Sequence, residues 1–191
     1  MRSRRIPWRE TSAFALAFAV STVPAFLTVG VPGAMAAVAG TGTGIFATLS
    51  AGRQGALACA GIVLAFVLAV AAAPSWLTVL SVLAAMIVIA GFEAARTGTR
   101  IAVIGIWAVL LCIVAITRGG GWEIVASMAW GLVTGAVVVR MSGRSRILPR
   151  APTGANEGWA MVLFLGPGLA LALALVALID TPRSYWIALL F

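Results

Sequence analysis

The side chains that could carry chemistry are few, and their types exclude most enzyme mechanisms. The chain has no His, five acidic residues and two cysteines. Without His, zinc sites and Ser-His or Cys-His catalysis are excluded or nearly so. Cys59 and Cys112 each lie inside an apolar run, where a thiol behaves as a small hydrophobe and a disulfide is not expected. We therefore predict no enzyme, no cofactor and no metal site.

The acids lie at or near the ends of apolar runs, at Glu10, Glu93, Glu123, Glu157 and Asp180. Glu93 is the deepest, about one turn inside its run, and Arg96 falls on the same helical face. Because ionisable groups within a membrane are costly, a deep one is a functional candidate by default. Two interpretations stay open for Glu93: an interfacial pair with Arg96, or a role in proton coupling or substrate gating.

Prolines interrupt two of the apolar runs at comparable positions. Pro24 follows Ser21 and Thr22 in the first run, and Pro167 lies between two glycines in a later one. A proline frees a carbonyl one turn back, and paired interruptions of this kind point to the substrate site of a transporter. The alternative is a simple kink that Ser and Thr hydroxyls compensate.

A glycine-rich stretch and two tryptophans complete the candidate substrate path. The stretch 40–44 reads Gly-Thr-Gly-Thr-Gly, but a phosphate loop is rejected because no strand precedes it and the chain has no Lys. Small residues there favour close helix approach, and the hydroxyls of Thr41 and Thr43 are candidates for lining a path. Trp107 and Trp130, at mid-run, either stack on an aromatic substrate or face lipid and neighbouring helices.

The composition places these residues in a membrane. Hydrophobic residues make up 62% of the chain and charged residues 9%, against about 45–50% and 25% in a soluble domain. A spanning helix needs about 20 apolar residues. We predict an all-α polytopic transmembrane helix bundle with about seven spans and the start of an eighth, the spans covering about Thr11–Val29, Val31–Ser50, Ala56–Ala73, Trp76–Ala95, Ile101–Thr117, Trp122–Val139 and Trp159–Ile179.

The arginines predict the orientation. If the N-terminus is cytoplasmic, the inner segments hold all the arginines except Arg118 and Arg183. This asymmetry is typical of the positive-inside rule and places the chain in the inner or plasma membrane. Because the arginines lie in short loops rather than on one face, nucleic acid is not an expected partner. A cleaved signal peptide, ending near Ala34-Met35-Ala36, is the weaker interpretation of the N-terminal run.

The predicted organisation has four parts. Residues 1–10 form a basic cytoplasmic N-terminus, 11–140 a six-span membrane unit, 141–158 a cytoplasmic Arg-rich loop, and 159–191 the start of a second unit. The final run from Tyr185 to Phe191 is too short to cross a membrane. We therefore expect a second membrane half, or a further copy of the chain, as a partner.

Three stretches carry a family resemblance: the small-residue helix and turn from Gly44 to Arg53, the stretch Pro74-Ser75-Trp76-Leu77, and the segment Pro182-Arg183-Ser184-Tyr185-Trp186-Ile187-Ala188-Leu189-Leu190. They resemble the membrane domain of the fusaric acid resistance family, also called aromatic acid exporters. The resemblance implies an exporter of small amphipathic or aromatic acids or related toxic compounds. A non-transporting scaffold, or a partner subunit of a transport complex, is the alternative.

Overall fold

The computed structural model describes residues 8–73, 75–97, 101–117, 121–142 and single positions between 156 and 171. The described part is all-helical, as predicted. Its helices are α1 (Trp8–Val29), α2 (Val31–Ala72), α3 (Trp76–Thr97), α4 (Ile101–Thr117) and α5 (Trp122–Met141). Most of the predicted seventh span and the whole final run lie outside the described residues.

Three of the described helical segments are long and apolar enough to cross a membrane. They are Thr11–Val29, Val31–Ser50 and Trp122–Met141, with mean hydropathies of 1.8, 1.2 and 1.7. Three shorter apolar helices accompany them, at Ala56–Ala72, Leu77–Glu93 and Gly105–Ile116. The chain is a multi-pass helical membrane protein. Three of the predicted spans coincide with helices long enough to cross a membrane, and three others coincide with the shorter apolar helices.

Helix α2 consists of two helical parts joined at Gly52, whose backbone is not helical. Its 42 residues would extend about 63 Å as a straight helix, twice the roughly 30 Å of a hydrocarbon layer. Gly52 has φ 67° and ψ −161°, a conformation that costs a residue with a Cβ atom much more than it costs glycine. The break divides α2 into a first arm, residues 31–51, and a second arm, residues 53–72. It falls where the sequence predicts the end of the second span.

The two arms of α2 fold back on each other. Gly44 in the first arm and Leu64 in the second line the same cavity, although they would be about 30 Å apart in a straight helix. Gly44 and Ala60 lie eight residues on either side of Gly52 and line the same cavity too. The arms therefore form an antiparallel helical hairpin around Gly52.

The first arm crosses α5 at backbone contact. A methyl group on Gly40 would overlap the carbonyl oxygen of Met128, and one on Gly44 would overlap that of Leu132. The glycines of α5 are placed in the same way: Gly131 against the carbonyl oxygen of Ala37 and Gly135 against that of Thr41. On both helices the paired glycines are four residues apart, the small-xxx-small spacing of membrane helix pairs. The close approach predicted for the glycine-rich stretch is confirmed.

The register of these contacts gives the relative direction of the two helices. Moving from Gly40 to Gly44 along the first arm shifts the contacted carbonyl from Met128 to Leu132 along α5. Both numbers increase together, so the first arm and α5 are parallel. The predicted span alternation requires this, because an odd number of spans separates the second from the sixth.

The remaining helices complete an apolar core on the other side of the second arm. Helix α4 packs against α2 and α3, and Val109, Leu110 and Cys112 on α4 are at most 1% exposed. Gly105 lets Val63 of the second arm and Met86 of α3 approach α4 closely. Cys59 and Cys112 are buried as free thiols, which confirms the expectation that they form no disulfide.

We expect the glycine crossing to be a main determinant of stability. Gly40→Ala places a methyl group against the backbone of α5, which should lower the free energy of unfolding by about 1–3 kcal/mol. Gly42→Ala is the matched control, because no atom lies within 4 Å of its Cβ position, and it should be neutral or stabilising by up to about 1 kcal/mol. Denaturant titration of both variants in detergent measures the difference. Equal stability of the two variants would contradict the crossing.

Candidate functional site

Two of the predicted path hydroxyls hydrogen-bond to each other across helices. Ser21 on α1 and Thr41 on the first arm are both fully buried. Thr41 Oγ1 lies 2.7 Å from Ser21 Oγ and 2.8 Å from the carbonyl oxygen of Ala37, and its one proton is shared between these two acceptors. The Ser21 hydroxyl in turn donates to the carbonyl oxygen of Phe18 at 3.1 Å. In a membrane interior, hydrogen bonds of this kind join helices. These two hydroxyls therefore tie α1 to α2.

The neighbouring hydroxyls differ in how they are satisfied. Thr43 Oγ1 donates to the carbonyl oxygen of Ala39 at 2.8 Å, a bond within its own helix. Within the part of the chain that the structure describes, Thr22 Oγ1 is buried and makes no hydrogen bond. The sequence groups these residues with Ser21 and Thr41 as one path, whereas the structure shows a bonded interhelical pair, a self-satisfied hydroxyl and an unpaired one.

Pro24 and Trp130, two separate predictions from the sequence, are brought together. Pro24 has no N–H, so the carbonyl oxygen of Val20, four residues earlier, loses its helical partner. Trp130 on α5 donates from Nε1 to that oxygen at 3.3 Å. Thr28 Oγ1 also donates to the carbonyl oxygen of Pro24 at 2.9 Å. The proline in α1 thus leaves the Val20 carbonyl oxygen free to accept a hydrogen bond, and Trp130 of α5 donates to it.

The other predicted site residues lie apart from this group. Glu93, near the end of α3, is half-buried and lies near Cys59 of the second arm. The side chain of its predicted partner Arg96 lies outside the described residues. Trp107 is half-buried in α4, and Pro167 is exposed at a helical position. Their predicted roles in a substrate path stay predictions.

A cavity of about 360 Å³, open to the surface where Leu57 and Val133 are exposed, lies between the hairpin of α2 and α5. We call it the trough. It is lined by the first arm, the second arm and α5, at Gly44, Thr48, Ala56, Leu57, Ala60, Leu64, Ala129, Leu132, Val133, Ala136 and Arg140. Its size is within the range of small-molecule sites, roughly 300–1,000 Å³.

The trough is elongated along the helix axes. Its α5 lining extends from Ala129 to Arg140, about 16 Å of helix. On the second arm the lining extends in the opposite direction, from Leu64 to Ala56. Because the first arm is parallel to α5, Thr48, Ala56 and Arg140 lie at the same end. The trough therefore has an apolar length and one polar end.

Arg140 is the charged residue of the described lining. It lies in the last turn of α5 and is exposed. The sequence analysis used Arg140 only to predict orientation. The one clue to a further role was its position at the end of an apolar span that carries a glycine pair.

None of the residues predicted as a substrate path lines the trough. Thr41 and Thr43 belong to the first arm, but their hydroxyls are bonded to Ser21 and to the helix backbone. The lining residues of the second arm, Ala56, Leu57, Ala60 and Leu64, carry no chemical group that sequence reasoning could single out. Only the fold of the hairpin brings them opposite α5.

The described residues contain no cluster of three or more His, Cys, Asp or Glu side chains that could hold a metal ion. Comparisons with protein-family models, curated proteins and solved structures found no match for the chain. The resemblance to the fusaric acid resistance family therefore contributes only to the proposal below.

The Trp130 bond to α1 can be tested with a double-mutant cycle. Trp130→Phe removes the donor and leaves the Val20 carbonyl unpaired, which should cost about 1 kcal/mol of stability. Pro24→Ala restores a backbone N–H for that carbonyl, so Trp130→Phe should cost clearly less in the Pro24→Ala background. Denaturant titration of the four proteins gives the coupling energy. A coupling energy of zero would show that Trp130 contributes through packing alone.

Proposed function

We propose that the chain is a permease of the inner membrane that exports small amphipathic or aromatic acids. The observation that carries the proposal is the trough, because ligand sites in helical membrane proteins are built between helices from mostly apolar walls and a few polar groups. The resemblance to aromatic acid exporters supports the substrate class. Seven spans, a cytoplasmic N-terminus and a proton-coupling role for Glu93 belong to the same proposal.

The position of Arg140 supports the proposed orientation. The parallel packing of the first arm and α5 places the turn after Ser50 and the end of α5 on the same side. In the sequence, Arg53 follows the first of these ends, and four arginines lie from Arg140 to Arg150. Arginine-rich short loops remain in the cytoplasm. Both ends are therefore assigned to the cytoplasmic side.

A non-transporting scaffold or partner subunit is the second candidate. The hydrogen bond between Ser21 and Thr41 favours it, since these buried hydroxyls join helices instead of lining a passage. The scaffold requires no ligand in the trough, and the permease does. Transport measurements therefore separate the two.

We expect cytoplasmic reporters to follow the arginine distribution. A reporter enzyme that is active only in the cytoplasm should be active when fused after Arg146 and silent when fused after Gly120, because one proposed span separates these positions. Colony colour together with immunoblotting, which confirms equal expression, measures the result. The reverse pattern would overturn the proposed orientation.

The transport test uses everted inner-membrane vesicles and a radiolabelled aromatic acid such as benzoate. Vesicles containing the chain should accumulate benzoate faster than vesicles lacking it when a proton gradient is imposed. Ala60→Leu fills the trough and should reduce the initial rate to about a tenth, since small volume changes in an apolar site alter discrimination by that order. The reason is steric, so protein levels should not change.

Ala58→Leu is the matched control for this test. Ala58 lies two residues away on the same arm, is exposed, and is not part of the trough lining. Its substitution should leave the rate unchanged. If vesicles with and without the chain accumulate benzoate equally, the scaffold is the better description.

A further inference from the structure

The walls of the trough accept an apolar group. Ala60, Leu64, Leu132 and Val133 supply methyl and methylene surface along its length. The Thr48 hydroxyl, at the polar end, donates to the carbonyl oxygen of Gly44 at 2.7 Å, so its proton is already used. The length of the trough thus offers a ligand contact surface without free hydrogen-bond donors.

Among the described residues of the lining, Arg140 carries the charge at the polar end. The C-termini of the first arm and of α5 lie there, together with the N-terminus of the second arm. Because of the helix dipole, each C-terminus carries a partial negative charge and the N-terminus a partial positive charge. At about half a charge for each end, they sum to roughly minus one half. The full positive charge of Arg140 exceeds this sum. Of the side chains that the structure describes around the trough, Arg140 therefore supplies the attraction for an anion at the polar end.

We infer that the trough is a binding site for a small monoanionic amphiphile, with its acid group on Arg140 and its apolar group between Ala60 and Leu132. A guanidinium offers a carboxylate two parallel N–H donors, which gives orientation as well as affinity. The inference deepens the proposed function, on which its choice of a small acid rests. It names the residue that selects the charge of the substrate.

Size and charge favour a small acid over a phospholipid as the occupant. The volume of about 360 Å³ is near the lower end for small-molecule sites, whereas a phospholipid brings two long acyl chains and a larger headgroup. Arg140, the guanidinium of the described lining, also matches one carboxylate. An anionic lipid would compete for Arg140 but would leave most of its apolar part outside.

The test compares three ligands that share one apolar group and differ in their head. They are 4-phenylbutanoate, 4-phenylbutan-1-ol and 4-phenylbutylamine, and binding to the purified chain in phosphatidylcholine nanodiscs is measured by calorimetry. We expect the acid to bind about tenfold more tightly than the alcohol, and the amine most weakly, because a hydrogen bond to a charged group adds that order of affinity. Equal binding of the acid and the alcohol would overturn the assignment of Arg140.

Variants of the protein distinguish the contribution of the ligand's head group from that of its apolar group. Arg140→Gln should abolish the preference for the acid, and Arg140→Lys should retain part of it, since Lys keeps the charge but lacks the planar fork of donors. Arg144→Gln removes the same charge from a residue outside the described lining and should change nothing. Ala60→Leu should weaken all three ligands together. If Arg140→Gln and Arg144→Gln lose acid binding to a similar degree, the acid is attracted by the overall positive charge and the proposed site at Arg140 is wrong.

Nanodiscs of a second composition test the lipid as occupant. If replacing phosphatidylcholine by phosphatidylglycerol abolishes binding of 4-phenylbutanoate, the trough is a lipid site and the inference is wrong; a modest salt-sensitive decrease is expected. Folding of each variant is checked by size-exclusion chromatography and circular dichroism. Binding without benzoate transport would leave the site intact and contradict the permease. Transport with no Arg140-dependent binding would contradict the site alone.

Discussion

The described structure depends on the backbone contact between the first arm of α2 and α5. In lipid, apolar side chains gain little by leaving their surroundings, so helices associate through close van der Waals packing and hydrogen bonds. Gly40, Gly44, Gly131 and Gly135 allow each helix to place its Cα hydrogens against the carbonyl oxygens of the other. Weak Cα–H···O contacts add to this packing. Close approach over two turns also fixes the rotation of both helices about their axes.

That fixed rotation determines what the other faces of the two helices meet. Trp130, next to Gly131, is directed to α1 and reaches the carbonyl oxygen that Pro24 leaves free. Thr41, next to Gly40, reaches Ser21, which also lies on α1. On the other side of the crossing, Leu132 and Ala136 face the second arm across the trough. The packing of α5 against α1 and the trough on its opposite side are thus both consequences of the glycine crossing.

Much of the fold follows from the sequence, and the residues show why. Apolar runs of about 20 residues identify spans because backbone groups in lipid must be satisfied within the helix. The break at Gly52 was also predictable, since glycines flank Arg53 and Gln54 between two apolar runs. The close approach of the stretch at Gly40 was predicted from residue size, although its partner was not. Gly131 and Gly135 have the same spacing in the sequence and identify that partner once both pairs are considered together.

The trough could not be predicted in the same way. A membrane helix is apolar on its lipid face and on its protein face, so hydrophobic periodicity does not indicate which side of the second arm faces α5. Ala56, Leu57, Ala60 and Leu64 look like any other part of an apolar run. The hydroxyls of Ser21 and Thr41 are polar and were easily noticed. A polar side chain within a membrane, however, can hydrogen-bond to a neighbouring helix as readily as to a substrate.

The parallel crossing also affects how the chain is assembled during synthesis. Gly40 and Gly131 are about 90 residues apart, which corresponds to roughly 5–20 s of translation. During this interval the glycine face of the first arm is already in the membrane while its partner has not been made. An exposed face of this kind pairs readily with a copy of itself on a neighbouring chain. The hairpin at Gly52 reduces that exposure. The second arm is synthesised directly after the first and covers one side of it before α5 is made.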